Sequence, residues 1–271
     1  MVRKAIIPAA GYGTRSLPIT RVIPKEMFPI HHKPSIQYVV EEAVSAGIEQ
    51  ILMIVSRSKN MIIDYFDESL ELEMYLQRAN KLHLLSKVKR PDVQILYTRQ
   101  PFAGGLGQAI RLGQHFIGND PFAVLLPDDL VIGEGIKELI DVYQEEHGSV
   151  IGLKEVEEEQ LKNYGVIDGD PIRNDLFAIK GVVEKPQKNP PSSHAIIGRY
   201  VFTPEIMAAL EKVQPDHGGE IQLTAGIQEL LAAQPCYGKV ISGQRFDVAS
   251  EKEYIDLQRQ MYRQHADHKG K

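Results

Sequence analysis

Four short apolar runs, separated by segments with helical spacing, constrain this chain most. Ala5-Ile6-Ile7-Pro8 and then residues 51–55, 93–97 and 122–126 each read as a buried strand. Between the first two, residues 35–44 place apolar side chains at helical intervals, with Ser35 at the predicted start and Gly47 just past the end. Continuously apolar strands that alternate with helices predict a sheet covered on both faces. The expected class is α/β, with a Rossmann-like mixed, mostly parallel sheet flanked by helices. Ligands on such sheets lie beyond the carboxyl ends of the strands. A glycine loop after the first run and the Asp128-Asp129 pair after the fourth both fall there.

The loop reads Ala9-Ala10-Gly11-Tyr12-Gly13-Thr14-Arg15, with Pro24-Lys25-Glu26-Met27 following. Glycine has no Cβ, so the backbone N–H groups of 9–13 can approach phosphate oxygens. Arg15 and Lys25 add positive charge beside them. The unit suits a nucleoside triphosphate and a leaving pyrophosphate. It is not a P-loop, which needs Gly-Lys-Ser/Thr, and Ser16 stands where the dinucleotide pattern needs a third glycine. Taken alone, Gly11-x-Gly13 is equally a simple turn.

The chain has 271 residues, of which 43% are hydrophobic and 25% charged, enough for one large core. A net charge of -5 argues against a nucleic-acid partner, whose binding surface would be basic. It leaves anionic small substrates open, because these feel local charge. Cys236 is the only cysteine, which excludes an internal disulfide and a cysteine-rich zinc site, and it reads as packing rather than nucleophile. No apolar run approaches the ~20 residues of a membrane span, and residues 1–8 do not read as a signal peptide. The expectation is a soluble cytoplasmic protein with no membrane partner.

Residues 67–88 carry Leu72, Leu76, Ala79, Leu82 and Leu85 at roughly helical spacing. They predict one or two surface helices that pack on the core or meet a second subunit. Runs at 150–153, 178–183 and 195–202 read as further strands, and 188–193 as a loop. Residues 251–264 read as a terminal helix and 265–271 as a polar tail.

Among polar residues, Asp128 stands where a carboxylate suits a hard cation such as Mg²⁺, although an Asp-rich turn is the alternative. Gln100 offers a donor and an acceptor, which suits a base edge, with Gly105 close behind in a Gly-rich turn. His31-His32 reads as a surface loop.

The full string Gly-x-Gly-Thr-Arg-x-x-Pro…Pro-Lys-Glu-Met resembles the signature of the sugar-nucleotide pyrophosphorylases, and within them the bacterial members that transfer uridylyl to glucose 1-phosphate. The resemblance covers roughly residues 3–250. It implies a nucleotide-diphospho-sugar transferase fold in one domain, 1–264, with a nucleotide-binding half (about 1–133) and a sugar-binding half (about 134–250). It implies conversion of UTP and glucose 1-phosphate to UDP-glucose and pyrophosphate, for cell-wall polysaccharide and glycolipid synthesis. It further implies that Asp128, with Asp247 of Arg245-Phe246-Asp247-Val248, holds one Mg²⁺ cofactor, while Asp129 lies outside direct reach. Arg15, Lys25 and Lys185 become the catalytic cations, with Lys185 on the sugar phosphate. Ala9, Ala10, Gly11, Gly13, Gln100 and Gly105 become nucleotide-binding positions. Gly165, Glu184, Lys185 and Glu220 become sugar-binding ones, and Arg199 is either one of these or structural. The family resemblance also implies a homodimer.

Some positions depart from the pattern. Arg21 stands where lysine is common, and Ala225 replaces an aspartate after Gln222-Leu223-Thr224. Gln244 and Ala249 flank Asp247 where a lysine and a glycine are usual. Two other readings stay open: a thymidylyltransferase or other sugar-nucleotide pyrophosphorylase, and a nucleotide-binding regulatory paralogue with little turnover.

Overall fold

The computed structural model describes residues 1–269. At its centre is a nine-stranded sheet. From one edge the strands are Gln94–Arg99, Gln50–Val55, Lys4–Ala9, Phe122–Leu125, His194–Phe202, Ser149–Glu155, Cys236–Val240, Leu176–Glu184 and Gly165–Arg173. The first four run parallel, as strand–helix alternation requires. His194–Phe202 is antiparallel to the strands on both sides. Cys236–Val240 runs parallel to Ser149–Glu155, and the last two strands form a hairpin around Asn174-Asp175. The sequence reading contains no strand over 165–173, because Asp168, Gly169, Asp170 and Pro171 break the apolar pattern. An edge strand tolerates such residues.

Alternating residues of each strand feed two cores. Ala5, Ile7 and Ala9 join Ile36, Val39 and Val40 of the helix Ser35–Ser45, together with Leu139 and Leu257. Ile6, Leu52, Ile54 and Val124 face the other way, onto Ala109, Ile110, Leu210 and Ile227. Period-two strands between helices on both sides account for the uninterrupted apolar runs. Ser35 does not cap its helix. Its hydroxyl instead donates to the Glu26 carbonyl at 2.9 Å.

Residues 67–88 hold the helix Leu70–Arg78 and two short turns of helix. Leu76 is buried, but Leu70, Leu72 and Leu82 stay exposed. The final helix, Glu251–Lys269, seats Leu257 and Met261 in the first core. Its backbone is helical beyond 264, so most of the expected tail continues the helix. Residues 270–271 of that tail lie outside the described residues. Among the described residues, no helix is long and apolar enough to cross a membrane.

Candidate active site

Ala9, Val55, Arg99 and Leu125 end their parallel strands on one rim of the sheet. Beyond that rim lies a cleft of about 710 Å³. A two-stranded ribbon closes one side of it. Asp129–Ile132 pairs antiparallel with Gln244–Asp247, which sets Asp247 opposite Asp129. The Val248 N–H donates to the Asp128 carbonyl at 2.8 Å. Two acidic positions far apart in sequence therefore meet at the rim. Strand alternation turns Arg245 and Asp247 toward the cleft, while Phe246 enters the core. Gln244 accepts a hydrogen bond from Gln260 of the last helix and does not border the cleft. The Ala249 N–H donates to Asp247 Oδ1 at 2.8 Å, a contact that needs no glycine.

The predicted cations converge on these carboxylates. Lys25 Nζ donates to Asp128 Oδ2 at 2.5 Å. Arg15 donates to Asp247 Oδ2 at 2.7 Å and lies 3.6 Å from Asp128 Oδ2. Burial alone would lower the Lys25 ammonium, but Asp128 and Glu26 outweigh it and hold it above the usual range. Burial would raise Asp128, yet Lys25 and Arg15 keep it below the ordinary carboxylate value. Its neighbour moves the other way. Burial pushes the Asp129 carboxyl up, against the pull of Arg245 and with the Asp128 charge adding to the rise. Asp129 is turned inward and accepts from Arg245 and from the Gly198 N–H at 2.9 Å.

Arg245 is a cleft residue that sequence reasoning missed. Its guanidinium holds Asp129, donates to the Tyr164 hydroxyl at 2.9 Å and lies over the Tyr164 ring. The available signal was its i, i+2 relation to Asp247 on one short strand. Arg199 answers the question left open for it. It is fully buried, and all five N–H donors are used. Two reach Glu42, at 2.8 and 2.7 Å, and the others reach the carbonyls of Leu126, Gly198 and Asp129. It clamps both sides of the Pro127-Asp128 turn and does not border the cleft.

Across the cleft, Glu184 ends its strand opposite Gly165. Lys185 follows with φ +45°, its N–H donating to the Tyr164 carbonyl at 3.0 Å. A lysine in left-handed backbone is strained, and such strain concentrates at functional sites. The Lys185 side chain is 57% exposed, and its ammonium lies 3.3 Å from Glu184 Oε1, a solvent-facing pair that an incoming anion can reach.

The remaining predicted positions lie off the cleft wall. Gly13 has φ +68° and turns the loop into residues 14–16, while Gly11 faces open space where a Cβ would point. Ala9 and Ala10 are buried behind them. The Gln100 amide nitrogen donates to the Gly105 carbonyl and to Gln108. Gln222 borders the cleft, whereas Glu220 is held beside it by Gln222 at 3.1 Å. Residues 104–107 and Ile221 exchange two backbone hydrogen bonds of 2.8 Å, tying the two halves together. Gly105 has φ +89°, and a Cβ there would sit 2.7 Å from the Ile221 carbonyl. Gly105→Ala is expected to cost about 1–3 kcal/mol in urea unfolding. An unchanged midpoint would mean that this junction yields freely.

Cys236 is buried, and burial pushes its thiol up to about 12, consistent with packing. Among the described residues, no three His, Cys, Asp or Glu side chains cluster as a metal cage.

Residues 4–264 match the nucleotidyl transferase family profile. The chain belongs to the nucleotidyl transferase family. A Bacillus subtilis (strain 168) relative provisionally named as a UTP–glucose-1-phosphate uridylyltransferase is 52% identical over 260 residues, 95% of this chain and 96% of the relative. A second protein from that strain, named UTP–glucose-1-phosphate uridylyltransferase, is 49% identical over 94% of this chain and 89% of its own. This nucleotidyl transferase also superposes on a UDP-glucose pyrophosphorylase complexed with UDP-glucose, with TM-score 0.87, 39% identity and coverage of 97% and 100% of the two chains. It superposes likewise on a UTP-bound enzyme of that name from Acinetobacter baumannii, with TM-score 0.88, 37% identity and coverage of 95% and 92%.

Proposed function

We propose that this nucleotidyl transferase is a UTP–glucose-1-phosphate uridylyltransferase. The observation that carries the reading is one cleft at the carboxyl rim, where Arg15, Asp128 and Asp247 face Glu184 and Lys185, with Lys25 held against Asp128 at its edge. A sugar-phosphate oxygen attacks the α-phosphorus of UTP in line. The new P–O bond forms as the bond to pyrophosphate breaks. Two anions must meet, so positioning and charge neutralisation do most of the catalysis. Lys185 holds the incoming sugar phosphate, and Glu184 accepts hydrogen bonds from sugar hydroxyls. Gly165 leaves the sugar bare backbone to lie on, with Glu220 and Gln222 at its border. Lys25 and Arg15 take the pyrophosphate side. The 9–13 loop receives the phosphates, and Gln100 and Gly105 form the turn beside the base.

Asp128 and Asp247 both border the cleft and each has a hard carboxylate oxygen against the Arg15 guanidinium, at 3.6 and 2.7 Å. That donor set fits Mg²⁺, which commonly keeps waters and substrate phosphates as its other ligands. When bound, the ion supplies charge neutralisation at the α-phosphate. We place the protein in the cytoplasm as a homodimer, with exposed Leu70, Leu72 and Leu82 as apolar surface for a second copy. Its product would supply cell-wall polysaccharide and glycolipid synthesis.

The test is pyrophosphate release from purified protein with Mg²⁺ and glucose 1-phosphate, comparing UTP, dTTP, ATP and GTP. Release should need the sugar phosphate, favour UTP, vanish with EDTA and return with excess Mg²⁺. Preference for dTTP would move the protein to thymidylyl transfer. Binding of UDP-glucose without any release would make it a regulatory paralogue. Release undiminished by EDTA would remove the metal role from Asp128 and Asp247.

A further inference from the structure

Directly behind Lys25 lies an ion pair that the cleft does not contain. Glu26 Oε2 accepts from Lys59 Nζ at 2.5 Å, with side chains 1% and 5% exposed. Glu26 Oε1 has no hydrogen-bond partner and is the buried side-chain oxygen left over among the described residues. Burial pushes the Glu26 carboxyl up against the pull of Lys59 and Lys25, and pushes the Lys59 ammonium down against the pull of Glu26.

Such a pair is a poor device for stability. Two desolvated charges regain little, and an apolar pair of similar volume is often as good or better. An orphaned oxygen makes this pair worse than most. Its location offers another role. Lys25, Glu26 and Met27 form one turn of 3-10 helix, so Glu26 and Lys25 share a rigid backbone unit. Lys59 approaches from a different element, just after the carboxyl end of Gln50–Val55 and immediately before the helix Asn60–Phe66. Its own N–H donates to the Ser56 carbonyl at 3.1 Å, and its carbonyl accepts from the Ile62 N–H at 3.0 Å. Ser35 holds the same turn from the opposite side, through the Glu26 carbonyl. The turn carrying Lys25 is thus fastened to the starts of two helices, and one fastening is the buried charge pair.

We propose that Lys59 is a positioning residue for Lys25, acting through Glu26. The pair fixes the 3-10 turn so that the Lys25 ammonium stays at the rim beside Asp128. The inference rests on the reading of Lys25 as the cation on the pyrophosphate side. A displacement of about 1 Å at such a group can lower turnover by as much as ~10²-fold.

Lys59→Met alone would strand the Glu26 charge and could prevent folding, so the test uses the double variant Glu26→Leu/Lys59→Met. Two readouts are taken. The first is kcat and KM for pyrophosphate release. The second is the rate of Lys25 acylation by acetic anhydride in the substrate-free protein, followed by peptide mass spectrometry. The double variant should unfold at or above the wild-type urea concentration. Its kcat should fall about tenfold with both KM values within about twofold. Lys25 acylation should rise at least about threefold, because the ammonium is no longer held at Asp128. Glu26→Gln, which keeps the shape and removes the charge, should move both readouts the same way by less. A folded variant with unchanged kcat, or with unchanged Lys25 acylation, overturns the proposal. If the wild-type protein releases no pyrophosphate, the functional reading fails, and acylation alone then decides whether the pair positions Lys25.

Discussion

Lys25→Ala is expected to lower kcat for pyrophosphate release by about 10²–10³-fold, the range seen when one donor to a developing oxyanion is removed. The largest negative charge in the reaction appears on the departing pyrophosphate. Lys25 stands at the rim with its side chain 16% exposed, so its charge acts with little solvent screening. The Asp128 carboxylate at 2.5 Å orients the ammonium and keeps it protonated. The substitution should leave the fold intact, because Asp128 keeps Arg15 at 3.6 Å and the 3-10 turn keeps its Ser35 bond. Lys25→Arg should recover only part of the loss, since a planar fork does not fill the place of a compact point charge. Steady-state kinetics on folded protein check this. Undiminished turnover in Lys25→Ala would take Lys25 off the leaving-group side.

Much of the parallel half was legible because its strands are buried on both faces. Lys4–Ala9, Gln50–Val55 and Phe122–Leu125 therefore appear as unbroken apolar runs. The glycine loop and Asp128 follow from that frame, since the carboxyl rim of a parallel sheet is where ligands bind. The second half was harder to read. Gly165–Arg173 hides as a strand because an edge position lets Asp and Pro into the ladder. Arg245 gave no signal of its own, because its meaning lies in the register that sets Gln244–Asp247 against Asp129–Ile132. Lys59 was invisible for a similar reason. One lysine after a strand reads as surface until the fold puts Glu26 against it. Ser35 shows the reverse error: a residue with good capping chemistry stands one position inside the helix, after Pro34, and its hydroxyl donates to the Glu26 carbonyl. Local rules gave the elements, and long-range pairings decided what the polar residues do.

Arg199→Met is expected to destabilise the protein by about 3–5 kcal/mol, a large share of the ~5–15 kcal/mol by which a typical domain is held folded. The guanidinium is fully buried and its five donors are matched. Removing it leaves the Glu42 carboxylate without its cation, takes the guanidinium from the Asp129 carbonyl, and leaves the Leu126 carbonyl with only the long 3.4 Å bond from the Asp129 N–H. Arg199→Lys should not repair this, because one ammonium cannot reach Glu42 bidentately and bridge both sides of the turn. Pairing Arg199→Met with Glu42→Leu should recover part of the loss by removing the stranded charge. Recovery stays incomplete because the Asp129 and Leu126 carbonyls still lack the guanidinium and the Ile136 N–H loses its 2.9 Å bond to Glu42. The double variant also separates stability from function. With the clamp gone, the Pro127-Asp128 turn is held by fewer bonds, so kcat should fall even in protein that is fully folded in the assay buffer. Urea unfolding followed by circular dichroism, with kinetics on the same preparations, reads both effects. An Arg199→Met protein within about 1 kcal/mol of wild type would mean that the turn carrying Asp128 is fixed by other contacts.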